Sequence, residues 1–169
     1  MSEPEVWLRG PVPDIAPLLQ PVAHCLLQCR EEVDRTLRTL TPLQIWARPS
    51  GAAAPGFHVR HAAGSLDRLF TYARGEPLSS VQRQALAAES VPDPSADAGA
   101  LLAAAFAAAM DEALRQLRTT DARTLLEPRA VGRMNLPSTV LGLLFHAAEH
   151  TQRHVGQLVT TAKVIRGRE

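Results

Sequence analysis

The sequence predicts an all-α protein built as a four-helix bundle, and three observations point there. Apolar residues recur at threes and fours over four long segments, the period of an amphipathic helix. The apolar share is 46% of 169 residues, carried chiefly by Ala, Leu and Val with only two Trp, one Tyr and four Phe. That composition suits closely packed helices better than sheets, which lean on β-branched and aromatic residues. Pro- and Gly-containing stretches separate the periodic segments, while neither β-type alternation nor an internal repeat is evident. The length is that of one domain and is sufficient to bury a core.

Taken in order, residues 1–13 are rich in Pro and Gly and read as an N-terminal arm, with Trp7 and Leu8 pinning it to the body. Asp14 is a candidate N-cap, and Pro17 and Pro21 mark a hesitant first turn. Val22, Leu26, Cys29, Val33, Leu37 and Leu40 then form one stripe, predicting a first long helix that ends near Thr41 and Pro42. Residues 43–55 connect it to a second helix over 56–74, which Gly75 and Pro77 terminate. Within that helix the small residues Ala62, Ala63, Gly64 and Ser65 flank His61 and allow close approach of a partner. A short amphipathic helix over 78–90 and a turn-rich linker over 91–97 follow. The third long helix, 98–119, has an Ala-rich centre of high helix propensity and a stripe of Leu101, Leu102, Phe106, Met110, Leu114 and Leu117. A connection through Pro128 and Gly132 crosses the end of the bundle. The fourth helix starts at Pro137 and Ser138 and continues to about Ile165.

Charge excludes some functions. Lys plus Arg number 18 against 17 Asp plus Glu, so there is no global basic field to recruit nucleic acid. No stretch has the unbroken apolar length of a membrane span, and the acidic first residues lack the order of a secretion signal. Cys25 and Cys29, four apart, read as free thiols rather than a disulfide framework. A cytoplasmic location is the expectation.

The most distinctive pattern lies in the fourth helix. His146, His150 and His154 stand four residues apart, so half of the six histidines fall within nine positions. Each step of four advances about 40° around a helix, which leans all three rings to one side. Two imidazoles one turn apart can clamp a divalent cation. A third ligand must come from another helix, with His58 and His61 as the candidates on the second.

His61 with the following Ala-Ala-Gly-Ser-Leu-Asp-Arg-Leu, and Glu149-His-Thr-Gln-Arg-His-Val-Gly-Gln157, resemble the DinB-like (DinB/YfiT) family of metalloenzymes. The resemblance covers most of the chain. It implies a four-helix bundle with a long crossover connection, a homodimer, and a divalent metal held by three histidines. Carried over by position these are His61, His150 and His154, with His146 an extra turn below and His58 a neighbour. An all-imidazole set suits Zn or Ni first, with Fe, Co or Mn as other candidates.

Family branches that use low-molecular-weight thiols imply a small-molecule substrate and thiol S-transfer or a related detoxifying reaction. Metal-dependent hydrolysis is a second enzyme reading, because no Cys or Ser in the motif looks like a covalent nucleophile. A stress-associated metal-binding or dimerisation module without turnover is the alternative from another class; a fourth protein ligand, His58 or His146, would favour it. Gln157 serves either as a partner of a metal ligand or as a bridge between helices. Glu149 points about 100° away from His150 and reads as a surface residue. Arg60, Arg68 and Arg153 could grip a carboxylated thiol but read better as solvated charges.

Overall fold

The computed structural model describes residues 3–167; Met1 and Ser2 of the expected arm lie outside them. Six helices occur among the described residues: α1 (Gln20–Leu37), the one-turn α2 (Pro42–Ile45), α3 (Pro55–Ala73), α4 (Ser80–Ala88), α5 (Ala98–Thr119) and α6 (Val140–Arg166). Between α5 and α6 lie two strands, β1 (Pro128–Val131) and β2 (Leu136–Thr139).

The four long helices pack as a bundle in which α1 and α3 each touch both α5 and α6. Chain direction follows from paired contacts. Val59 of α3 and Leu102 of α5 line one cavity near the start of both helices, and Arg74 bonds Gln116 near their ends, so α3 and α5 run parallel. Two consecutive parallel helices require a connection that travels the length of the bundle. Residues 74–97 make that crossover, antiparallel to α3: Gln82 bonds Asp67 and Thr71, Glu89 reaches His61, and the carbonyl of Val91 meets Arg60. In the core the expected stripes of α1 and α5 face inward through Leu26, Phe106 and Met110, joined by Leu66 of α3 and Leu144 and Leu158 of α6, all six all but sealed from solvent.

Local chemistry sets the boundaries. Gly75 terminates α3 in the left-handed region (φ +78°), with the Glu76 N–H returning to the Thr71 carbonyl, the hydrogen-bond closure that only Gly makes without strain. Ser79 and Gln82 form a capping box that starts α4. Several expectations are corrected. Trp7 (62% exposed) and Leu8 do not pin the arm; Val6 is the buried anchor, its N–H donated to the Gln28 side chain. Asp14 is no N-cap but sits in a turn at φ 63°. Gln20 holds that turn through Val12 and Ile15. The first long helix stops at Leu37 rather than near Thr41, because Thr41 and Gln44 cap a separate turn, α2. Leu101 is exposed rather than part of the packed stripe of α5.

The connection before α6 is an antiparallel hairpin, with Pro128 opposite Thr139 and Val131 opposite Leu136. Two short strands have no spare inner edge, so Pro128 and Pro137 are tolerated there. The hairpin also delays the last helix, whose N-cap is Thr139, its hydroxyl accepting from the Gly142 N–H.

Candidate metal centre

α3 and α6 run antiparallel, so histidines three apart on one helix meet histidines four apart on the other. His61 Nε2 lies 3.0 Å from His150 Nε2, and His58 Nδ1 lies 3.2 Å from His154 Nδ1. One nitrogen from each of His61, His150 and His154 falls within 4.8 Å of the others. His146 stands outside this group: it is exposed and faces Glu149 at 3.3 Å. Phe57, one turn before His61, stacks on its ring with centroids 5.4 Å apart and meets His58 and His154 edge-on.

The residue that sequence reasoning missed is Glu89. It follows α4 on the crossover and is buried, with 4% exposure. Its Oε2 accepts from His61 Nδ1 at 2.6 Å, and its Oε1 from Arg68 Nη1 at 2.7 Å. Arg68, expected to be solvated, is therefore a buried partner in an ion pair. Gly64 makes room for both: a Cβ there would stand 2.6 Å from Glu89 Oε1 and 2.8 Å from Arg68 Nη1. Within the small-residue patch around His61, Ala62 and Ser65 are buried in the bundle, while Gly64 admits the carboxylate.

Hydrogen-bond bookkeeping fixes the tautomer of a neutral His61. A carboxylate only accepts, so His61 Nδ1 carries the proton and its Nε2 presents a lone pair. In the metal-free protein His150 then donates Nε2–H to that lone pair. For the His58–His154 pair, donation from His154 Nδ1–H to His58 leaves His154 Nε2 free to ligate. A carboxylate or acceptor behind each ring is how metal-binding histidines are usually oriented.

The electrostatics favour the neutral form of His58, His150 and His154. Burial, reinforced by the neighbouring His61 and His150, pushes His154 down to about 4. Burial likewise lowers His150 and His58, with His61 adding to both. Burial alone would raise Glu89, but the hydrogen bonds from His61 and Arg68 outweigh it and hold the carboxyl ionised.

The donor set fits a divalent ion. Two nitrogens bound at about 2.0–2.1 Å stand about 2.9–3.4 Å apart at bond angles of roughly 90–109°, and the His61–His150 separation of 3.0 Å falls in that range. A shift of about 1–2 Å brings the third nitrogen in.

In a sequence–family comparison, the model of the DinB superfamily matches residues 25–158. The chain belongs to the DinB superfamily. No curated protein matches it. Membership accounts for the bundle and its long crossover, and the histidine cluster of this DinB-superfamily chain allows a metal-binding role. No described helix is long and apolar enough to cross a membrane.

The other predicted neighbours fall outside the cluster. Glu149 is on the surface, paired with Arg153 and held below the usual carboxylate range by that hydrogen bond. Gln157 is exposed. Arg60 lies over the Trp46 ring at 4.8 Å and donates to the carbonyls of Ala88 and Val91.

Two results are expected here. Gly64→Ala should lower affinity for Zn by about tenfold, because the displaced carboxylate no longer orients His61. Helix propensity alone would favour this substitution by about 1 kcal/mol, so metal titration together with thermal melting separates the two effects. The second concerns pH. A histidine whose folded pKa is depressed confers stability that is present above its unfolded pKa of 6.5 and is lost as pH falls toward about 4. Metal-free protein should therefore melt at lower temperature as pH drops through this window. The decline should be shallower in His154→Gln.

Proposed function

We propose that His61, His150 and His154 hold one divalent ion, Zn or Ni, and that the protein is a metal-dependent enzyme transferring a low-molecular-weight thiol to an electrophile. The observation that carries this reading is the convergence of three imidazoles, with a buried carboxylate accepting from His61 Nδ1 so that its Nε2 faces the cluster. Such an ion, with coordination positions left open, would stabilise a thiolate at neutral pH.

The chain's own residues supply the rest. Glu89 and Arg68 fix His61, His58 orients His154, and Phe57 shields the rings on one side. The two cysteines are free, and Cys25 donates instead to the Ala148 carbonyl and the Gln152 side chain. Transfer of a cosubstrate thiol therefore fits better than attack by a protein thiol. Metal-dependent hydrolysis draws on the same centre and differs only in the nucleophile.

The test is to load the protein with Zn or Ni and follow consumption of a thiol panel against a chromogenic electrophile. Metal-dependent turnover that His61→Ala abolishes supports the reading. Rates equal to those of the free ion overturn it.

The proximity of His58 to His154 supports a second reading, a closed four-histidine structural site without turnover. Cobalt substitution distinguishes the two: an exogenous thiol added to the cobalt protein should shift its visible spectrum if a position is open. A homodimer belongs to the same proposal, and its mass in solution would be twice the 18.3 kDa of the chain.

A further inference from the structure

We propose that the cavity beside the histidine cluster binds a small organic acid with a flat apolar body, its carboxylate at Arg48 and its body between Trp46 and Phe57. For its part in a reaction the proposal rests on the metal-centre reading, where it would supply the electrophile; for binding it stands alone.

The cavity, about 210 Å³, is lined by Trp46, Arg48, Ala54, Phe57, Ser90 and Pro92 among others. That volume is about the liquid share of seven waters, enough for a single ring with a short arm. Phe57 forms a wall of this space and also stacks on His61, while Ser90 follows Glu89. An occupant would thus lie within one side chain of the centre.

The walls are rigid and flat. Arg60 covers the Trp46 ring at 4.8 Å, and Gly56 lets the ring approach so closely that a Cβ there would stand 2.9 Å from its Cζ2 and Cη2. Two aromatic walls in a mostly apolar hollow select a planar hydrocarbon body, since offset or edge-on ring contacts are favourable beyond simple burial.

Charge selects the other end. Among the described residues Arg48 makes two long hydrogen bonds of 3.4 Å, to the carbonyls of Gly51 and Ala52. Among the described residues no ion pair neutralises it. A planar guanidinium free of carboxylates is matched to a bidentate carboxylate. The first turn of α3, which borders the cavity at Ala54 and Phe57, has neither a side-chain cap nor an acidic residue, so its partial positive charge adds to the same preference.

The test uses 3-phenylpropionate and its neutral amide on metal-loaded protein in a Trp7→Phe background, where Trp46 fluorescence reports occupancy. Saturable binding of the acid is expected, weakened about tenfold by Arg48→Gln, with the amide unaffected by that change. Ala53 also lines the cavity, and Ala53→Phe, which fills it, should abolish binding of both. The proposal is overturned if acid and amide bind equally, if Arg48→Gln changes nothing, or if no binding is seen up to about 10 mM. It is also overturned if His154→Ala, stripped of metal, no longer binds the acid, since the carboxylate would then have sat on the ion. Metal content measured on the same samples separates the two readings. A failure of acid binding with one ion per chain present leaves the metal centre standing. Acid binding by a wild type that retains no ion even after loading overturns the metal centre alone.

Discussion

Glu89→Ala is expected to destabilise the protein by about 3–5 kcal/mol, the cost of stranding one member of a buried ion pair. Arg68 is 8% exposed and Glu89 4%, so neither can turn to water without opening the packing between α3 and the crossover. Removing the carboxylate leaves the guanidinium buried and unpaired and also frees His61 to adopt the wrong tautomer. Zn affinity should therefore fall by about 10–100-fold in the fraction that folds. Urea unfolding and metal titration read the two effects separately. The double variant Glu89→Ala/Arg68→Met should recover most of the lost stability, because both charges are gone, but none of the lost affinity. A loss below about 1 kcal/mol for Glu89→Ala would show that the pair is solvated and not structural.

Substitution of the histidines should produce a graded order of metal affinity. Ala at His61, His150 or His154 removes a ligand and should cost about 1,000-fold or more, taking a competitive chelator titration beyond detection of a stoichiometric site. His58→Gln removes only the group that orients His154 and should cost about 10–100-fold. His146→Ala should change nothing, since that ring is exposed and faces Glu149. If His58→Gln were as severe as the ligand variants, His58 would be a fourth ligand and the closed structural site would be favoured.

What the sequence made legible follows from which signals are periodic. The four long helices were readable because each buries a stripe at threes and fours, and the spacing of His150 and His154 was readable for the same reason. The hairpin was not: four-residue strands carrying Pro128 and Pro137 show no alternation long enough to register. Arg68 was misread because helical position alone does not reveal that a crossover returns along that face.

Glu89 lies 28 residues from His61, beyond any local pattern. One signal was present: an acidic residue at the C-terminal end of a helix, where the dipole disfavours negative charge, calls for a cationic partner from elsewhere. Gly64, mid-helix beside His61, marked a close approach but could not say what approaches. The metal-site geometry thus divides into a part written in helical period and a part created only by the chain's return.

The most direct test of the metal centre is elemental analysis of the untagged protein, as purified and after incubation with Zn and with Ni, beside His154→Ala. A three-histidine centre predicts about one divalent ion per chain in the wild type and none retained by the variant. A wild type that holds no ion even after loading would contradict it, and the histidines would then be a packed polar seam between α3 and α6.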